Sequence, residues 1–175
     1  MFLEKLQYIK AFIFDVDGVL TNGLVHVTEN GEQLRTFNIK DGYALQLAIK
    51  QGYQVAIITG GKSNGIALRL KGLGITQAFL GVQNKVEIYQ QFLAKQSLNP
   101  EQIVYMGDDF PDYEVMKLVG LSVCPADAVP EIKAISQYIS PKNGGEGCVR
   151  DIIEKVLKIQ NKWYHENPSA EEESF

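Results

Sequence analysis

Histidine and cysteine, which supply most catalytic triads and zinc sites, are scarce in this sequence of 175 residues, which contains two of each. Cys124 and Cys148 lie far apart and match no metal-binding spacing, so we interpret both as buried or incidental thiols of a protein in a reducing cytoplasm. Neither His26, near a predicted turn, nor His165, in the C-terminal tail, is placed as a triad member. The scarcity argues against zinc chemistry and against triad-based hydrolysis.

Excess positive charge and long apolar runs are also missing. The formal net charge is −4, which argues against a nucleic-acid partner bound through a positive potential. No run approaches the roughly 18 apolar residues of a membrane span. Glu4 and Lys5 interrupt the start of the chain, where a secretion signal needs an apolar core. We therefore expect a cytoplasmic protein with neither a membrane nor a nucleic acid as its partner.

One stretch, residues 11–21, organises the sequence. Four apolar residues are followed at once by Asp15, Val16, Asp17 and Gly18. The run is typical of a buried strand of a parallel sheet, and Asp15 then lies at the carboxyl end, where open α/β sheets bind ligands. Two carboxylates this close repel each other, and a bound cation is the usual compensation. A solvated turn after a core strand is the alternative interpretation.

Strand and helix patterns alternate along the rest of the chain, which predicts an α/β fold with a mostly parallel sheet flanked by helices. Asp41 is the predicted N-cap of the first long helix. We assign residues 1–160 to one domain and residues 161–175 to an acidic tail that frays. The predicted strands are 11–14, 54–58, 78–80, 103–106, 121–123 and 138–139, and the predicted helices are 41–50, a segment after Ser63 that ends near residue 73, 85–97, 128–135 and 147–160.

A β-hairpin is predicted at about residues 23–38, directly after the first strand. Its signal is Asn30-Gly31 between two strand-like runs, a dipeptide that suits a tight hairpin turn. The hairpin is either a flap over the site or an insertion without a role in it.

Chemistry-bearing residues fall at the ends of three predicted strands. Asp15 and Asp17 follow the first, Thr59 the second, and Asp108 and Asp109 the fourth. Right-handed crossovers place these strand ends along one edge. Several carboxylates without His or Cys suit a hard cation, above all Mg²⁺. Such a site beside a hydroxyl and an ammonium suits a phosphoryl group, with one Asp as nucleophile and another as acid and base.

These residues resemble the four motifs of the haloacid dehalogenase (HAD) superfamily of phosphohydrolases, and longer stretches resemble its small, capless family of 3-deoxy-D-manno-octulosonate (KDO) 8-phosphate phosphatases. The resemblance extends over nearly the whole chain up to about Leu157. The HAD motifs are Asp15-x-Asp17-Gly-Val, Thr59-Gly60, Lys85 and Gly107-Asp108-Asp109-x-x-Asp112, and the longer stretches are 15–21, 37–43, 56–60, 83–85, 105–109 and 144–150.

The resemblance implies a Rossmann-like HAD fold and roles for three aspartates. Asp15 is then the nucleophile, which forms an aspartyl-phosphate, and a Mg²⁺ ligand. Asp17 is the general acid and base, with its backbone carbonyl on the metal. Asp108 is the third protein ligand of Mg²⁺.

The remaining motif residues are implied to hold the phosphoryl group or to support those that do. Thr59, Gly60 and Lys85 bind its oxygens. Asp109 and Asp112 are implied to support either the loop that carries them or Lys85, without binding the metal themselves.

The inserts in this chain are too short to make a cap domain, and the resemblance to the capless family implies a homotetramer. In the family, hairpins form a barrel-like core and neighbouring subunits close the site. The loop at residues 144–147 resembles a mobile segment that approaches the active site. The implied hairpin contact residues are Leu24, Val25, Val27 and Leu34.

One departure from the family pattern concerns the substrate. The second motif commonly reads Thr-Gly-Arg, but Gly61 stands in the position of the Arg. A sugar acid needs a cation for its carboxylate, and Arg69 or Lys62 is the candidate here. The expected reaction is Mg²⁺-dependent hydrolysis of KDO 8-phosphate. A phosphatase of nine-carbon sugar acid 9-phosphates is one alternative, and a non-catalytic binding or regulatory protein with the same fold is another.

Overall fold

The computed structural model describes residues 1–164, and its centre is a parallel sheet of six strands in the order β5-β4-β1-β6-β7-β8. A separate two-stranded sheet pairs β2 with β3. The central strands are apolar on both faces because helices cover the two sides of the sheet. The strands are β1 (Ala11–Phe14), β2 (His26–Val27), β3 (Gln33–Leu34), β4 (Gln54–Ile58), β5 (Gln77–Phe79), β6 (Ile103–Met106), β7 (Leu121–Cys124) and β8 (Tyr138–Ile139).

Helices pack on both faces of the sheet. Alternate residues of β1 point to opposite sides, so Phe12 and Phe14 join a core beneath α2, α3 and α7, while Ala11 and Ile13 join a second core beneath α4, α5 and α6. The helices are α1 (Phe2–Leu6), α2 (Ile39–Lys50), α3 (Asn64–Gly72), α4 (Lys85–Gln96), α5 (Tyr113–Met116), α6 (Pro130–Ile135) and α7 (Cys148–Ile159), with 3-10 turns at Pro100–Gln102 and Phe110–Asp112.

The predicted α/β architecture is confirmed, and each predicted strand of the main sheet is present within one or two residues of its expected bounds. The predicted start of α2 is wrong. Its N-cap is Asn38, whose side-chain oxygen accepts from the backbone N–H groups of Lys40 (2.8 Å) and Asp41 (3.4 Å). Asp41 instead lies buried in the first turn, where its Oδ1 accepts from the N–H of Arg150 in α7. Its carboxylate therefore binds the first turn of α7 instead of capping its own helix.

The hairpin is the only insertion between β1 and α2. Its strands are antiparallel, with His26 opposite Leu34, and Gly31 adopts a left-handed φ of +80° in the turn. Each strand is only two residues long, too short to be stable alone in water. Within residues 1–164 no further domain is inserted, as expected of a capless protein.

The described part of the chain continues past the predicted domain boundary at residue 160. Trp163 packs against the core, and the N–H of Lys162 donates to the carbonyl of Leu157 (2.7 Å). The rest of the predicted tail, residues 165–175, lies outside the described residues. Among residues 1–164, no helix is both long and apolar enough to cross a membrane.

Replacement of Asn38 tests how α2 is fastened. Besides capping α2, the Asn38 amide donates to the carbonyl of Gly145 (3.1 Å). Asn38→Ala removes both contacts and should lower the free energy of unfolding by about 2 kcal/mol, whereas Asn38→Ser keeps a capping oxygen and should cost about half as much. Urea unfolding at constant m-value measures both. Equal losses in the two variants would show that the cap contributes nothing.

Candidate active site

Neighbouring strand ends bring the first two carboxylates together. β1 and β6 are parallel neighbours with Phe14 opposite Met106, and the N–H of Asp15 continues the ladder by donating to the carbonyl of Met106 (3.1 Å). Asp108 follows two residues after Met106. Since both strands end at the same edge of the sheet, Asp15 and Asp108 meet there, with Asp15 only 7% exposed.

Asp112 completes a cluster of three carboxylates. The 3-10 turn at Phe110–Asp112 folds its side chain back over Gly107, where an added Cβ would lie 2.4 Å from the Asp112 Cβ. One oxygen from each of Asp15, Asp108 and Asp112 lies within 4.8 Å of the other two. Asp112 also accepts from the Tyr105 hydroxyl (2.7 Å) and from the N–H of Asp108 (3.1 Å), so it is held from two sides.

Lys85 is the cation within this cluster. It is the first residue of α4, its side chain is 4% exposed, and its Nζ lies 2.7 Å from Asp112 Oδ1 and 3.0 Å from Asp15 Oδ2. Burial alone would lower the pKa of Lys85, but Asp15 and Asp112 raise it above its usual value. Lys85 therefore remains charged, and it fixes the orientation of Asp15.

The three carboxylates carry more negative charge than Lys85 can neutralise. Burial is the main cause that raises the pKa of Asp15, to about 7, and repulsion from Asp112 adds to it. Lys85 opposes this rise. Burial and then Asp15 raise the pKa of Asp108 to about 8. A further cation would favour the charged forms. An oxygen-only donor set of this kind fits Mg²⁺.

Gly18 makes room for this arrangement. It has a left-handed φ of +83°, and an added Cβ would lie 1.8 Å from Asp108 Oδ2. No other amino acid can occupy the position without displacing Asp108.

Asp17 is held by an arginine that sequence reasoning missed. Arg35, in the hairpin arm after β3, donates from Nε to Asp17 Oδ1 (2.6 Å) and from Nη2 to Asp17 Oδ2 (3.1 Å). The Arg35 side chain is 7% exposed and that of Asp17 is 37% exposed. The pair also ties the hairpin to the loop after β1, a contact that no local sequence pattern indicates.

The segment after β4 supplies the predicted phosphate-binding residues. Thr59 is buried, and its hydroxyl accepts from the N–H of Gly61 (3.1 Å). An added Cβ on Gly61 would lie 3.5 Å from both Thr59 Oγ1 and Asp17 Oδ2. The same Cβ would lie 3.0 Å from Ile66 Cδ1, so a side chain at position 61 would begin beside Thr59 and Asp17 only if Ile66 moved slightly.

A cleft of about 880 Å³ lies over Asp17, between the hairpin and the loop after β4. Arg35, Gly60, Gly61 and Lys62 line it. The predicted residue Arg69 lies elsewhere. It lines a neighbouring cavity of about 180 Å³ together with Arg35, and its buried Nε has no hydrogen-bond partner among the described residues. Asp109 is exposed and only caps the N–H of Phe110.

The glycine-rich loop before α7 packs directly against the loop after β1. The N–H of Gly145 donates to the carbonyl of Val19 (3.0 Å). An added Cβ on Gly144 would lie 1.9 Å from the carbonyl oxygen of Gly18. The backbone around Gly18 is therefore buttressed by a segment far away in sequence.

Comparison with known proteins identifies the family of the chain. Residues 81–152 match the family model of the haloacid dehalogenase-like hydrolases. The chain is 41% identical over 160 residues to the 3-deoxy-D-manno-octulosonate 8-phosphate phosphatase KdsC of Escherichia coli K12, covering 91% of this chain and 85% of that protein.

Solved structures agree in fold over similar lengths. The Yersinia pestis KDO 8-phosphate phosphatase superposes with a TM-score of 0.89 at 39% identity, covering 91% of this chain and 86% of that one. The Moraxella catarrhalis enzyme, crystallised with magnesium ion, phosphate ion and KDO, gives 0.89 at 33% identity and 92% coverage of both chains. By sequence and by fold, the chain belongs to the 3-deoxy-D-manno-octulosonate 8-phosphate phosphatase family of the haloacid dehalogenase-like hydrolases.

Proposed function

We propose that the protein hydrolyses KDO 8-phosphate to KDO and inorganic phosphate through an aspartyl-phosphate on Asp15, with Mg²⁺ as its cofactor. The observation that carries the proposal is the buried Asp15–Lys85–Asp112 network beside Asp108 at the sheet edge. The E. coli relative has this activity by name, and the Moraxella relative binds magnesium, phosphate and KDO. The non-catalytic alternative has no support from the site, because Asp15 and Asp17 are both present.

The chain's own residues account for both steps. The Asp15 carboxylate attacks phosphorus as the bond from phosphorus to the sugar oxygen breaks, and Asp17 gives that oxygen its proton. The Asp17 carboxylate then takes a proton from water. The water oxygen attacks phosphorus, the bond to Asp15 breaks, and phosphate leaves.

Lys85 and Thr59 are assigned to the phosphoryl group. In this proposal the Lys85 ammonium neutralises negative charge next to the nucleophile, and the Thr59 hydroxyl and the backbone near Gly60 donate to phosphoryl oxygens. Asp15, Asp108 and the Asp17 backbone carbonyl are the proposed Mg²⁺ ligands. When bound, Mg²⁺ neutralises the phosphate and permits Asp15 to approach it as an anion.

A nine-carbon sugar acid 9-phosphate is the second candidate substrate, and Gly61 is the observation that favours it. Gly61 lines the cleft beside Asp17, and glycine there removes the cation that the family usually has at this position. Lys62, which lines the cleft, and Arg69, which lies at its side, are the proposed replacements for that cation.

Phosphate release with Mg²⁺ from KDO 8-phosphate, measured beside nine-carbon 9-phosphates, tests the substrate. We expect a preference for KDO 8-phosphate of more than tenfold in kcat/KM, or about 1.4 kcal/mol of transition-state discrimination. The reverse preference would show that Gly61 marks a pocket for the longer acid.

Asp15→Asn is the control for that assay. It keeps the size of the side chain but removes the nucleophile, so turnover should fall by more than about a thousandfold while the circular dichroism spectrum stays unchanged. Retained turnover would disprove the assignment of Asp15.

Thermal unfolding with and without Mg²⁺ tests the metal site independently of activity. A hundredfold excess over Kd should stabilise the protein by about 2.7 kcal/mol, or roughly 5 to 10 °C in Tm. Asp108→Asn should abolish this rise without lowering the Tm of the metal-free protein, because it removes one of the crowded carboxylates. Asp109→Asn is the matched control and should keep the rise. A rise of equal size in all three proteins would place Mg²⁺ elsewhere.

We propose a homotetramer in which the hairpins meet. Leu24 is 71% exposed, Val27 62% and Leu34 52%, and Val25 is also exposed. A two-stranded sheet gains stability when such an apolar face is covered.

Cys124 and Cys148, both free and buried, are compatible with the cytoplasmic location that we propose for the assembly.

The replacement of Leu24 and Val27 by serine should shift the protein to a smaller species in light scattering after size-exclusion chromatography. The paired replacement of exposed Leu3 and Leu118, which lie outside the hairpin, is the control and should leave the mass unchanged. A monomeric wild-type protein would contradict the proposed tetramer.

A further inference from the structure

Arg35 occupies both oxygens of the residue that must exchange a proton with the substrate. Its Nε and Nη2 donate to Asp17 Oδ1 and Oδ2, at 2.6 and 3.1 Å. This two-pronged geometry is the strongest that arginine makes with a carboxylate. For Asp17 to give a proton to the leaving oxygen, one of its oxygens must face the substrate, whereas here each faces an N–H of Arg35. The two N–H groups of Arg35 leave each oxygen only its second lone pair, and withdrawal of Arg35 would free the carboxylate to turn toward the leaving oxygen.

The cleft offers Arg35 another partner. Arg35 lines the 880 Å³ cleft together with Asp17 and Gly61. A sugar acid entering this cleft carries a carboxylate with the same planar shape and charge as the Asp17 side chain. The planar guanidinium of Arg35 matches the shape of either carboxylate, that of Asp17 or that of the sugar acid. Glu32, also on the cleft wall, is exposed and repels such a ligand, while Lys62 attracts it.

Arg35 is better placed than the other two cations for this exchange. Lys62 provides a single flexible ammonium and has no fork. Arg69 lines only the smaller cavity. Among the described residues, Arg35 alone both lines the large cleft and hydrogen-bonds the Asp17 side chain.

We infer that Arg35 is a specificity-determining and positioning residue that passes from the Asp17 carboxylate to the carboxylate of the bound sugar acid, so that recognition of an acidic substrate releases Asp17 for proton transfer. This inference rests on the proposed function. It explains how a chain with Gly61 selects sugar acids, since a phosphorylated sugar without a carboxylate leaves Arg35 on Asp17.

The test compares KDO 8-phosphate with arabinose 5-phosphate, which has no carboxylate, in the full-length Mg²⁺-loaded protein. Arg35→Gln should lower kcat/KM for KDO 8-phosphate by about 10- to 100-fold, the worth of a charge-assisted hydrogen bond. For arabinose 5-phosphate, kcat should rise, because Arg35 no longer occupies the Asp17 carboxylate. Arg35→Lys keeps the charge without the fork and should recover only part of the loss. Lys71→Gln, an exposed cation of α3 outside both cavities, is the matched control and should change neither substrate.

Calorimetric titration with KDO in the presence of Mg²⁺ and phosphate gives a second readout that needs no turnover. Arg35→Gln should weaken KDO binding by about 10- to 100-fold, with an unchanged elution volume and a Tm close to that of the wild type. Equal losses on both sugar phosphates, or unchanged KDO affinity, would overturn the inference and leave Arg35 as a support of Asp17. Failure of the wild-type protein to hydrolyse KDO 8-phosphate would instead refute the proposed function.

Discussion

The crowding of like charges at the ends of β1 and β6 is the constraint on which the rest of the site depends. Three carboxylates share a space in which one oxygen from each lies within 4.8 Å of the other two, and the cation in contact with Asp15 and Asp112 is Lys85. Burial of unpaired charge is costly, whereas a carboxylate with a buried partner and hydrogen bonds is tolerated. The arrangement trades stability of the free protein for strong attraction to a cation and to the phosphate that accompanies it. Catalysis of phosphoryl transfer requires this kind of prepared electrostatic site.

The surrounding backbone is shaped to permit that crowding. Gly18 and Gly107 lack the Cβ atoms that would collide with Asp108 and Asp112. Tyr105, fully buried in β6, uses its hydroxyl to hold Asp112. Each of these residues fixes the position of a carboxylate.

The sequence predicts the sheet edge well because that part of the site is a consequence of topology. Asp15, Thr59 and Asp108 each follow a strongly apolar strand, and parallel strands ending at one edge bring them near one another. Position relative to a strand is local information, so a single sequence carries it.

Long-range side-chain choices are harder to predict. Nothing in the residues near Arg35 indicates that it will turn back to Asp17, because the direction of the hairpin depends on how the whole insertion packs. The error at the start of α2 has a similar origin. Both Asn38 and Asp41 are acceptable caps. Asp41 does not cap α2 because its carboxylate accepts from the N–H of Arg150 in α7, more than a hundred residues later in the chain.

The contact between the glycine-rich loop and the loop after β1 also bears on how the protein is made. Gly144 touches the backbone of Gly18, and Cys148 donates from its thiol to the carbonyl of Val19 (3.2 Å). These pairs join segments more than 120 residues apart, and contacts of such long sequence separation form slowly and late. A nascent chain can therefore contain β1, β4 and β6 and every side chain of the proposed catalytic site, yet the loop that carries Asp17 gains its final support only after residues 144–159 have been synthesised and α7 has docked. Competence for the reaction is thus tied to completion of the fold.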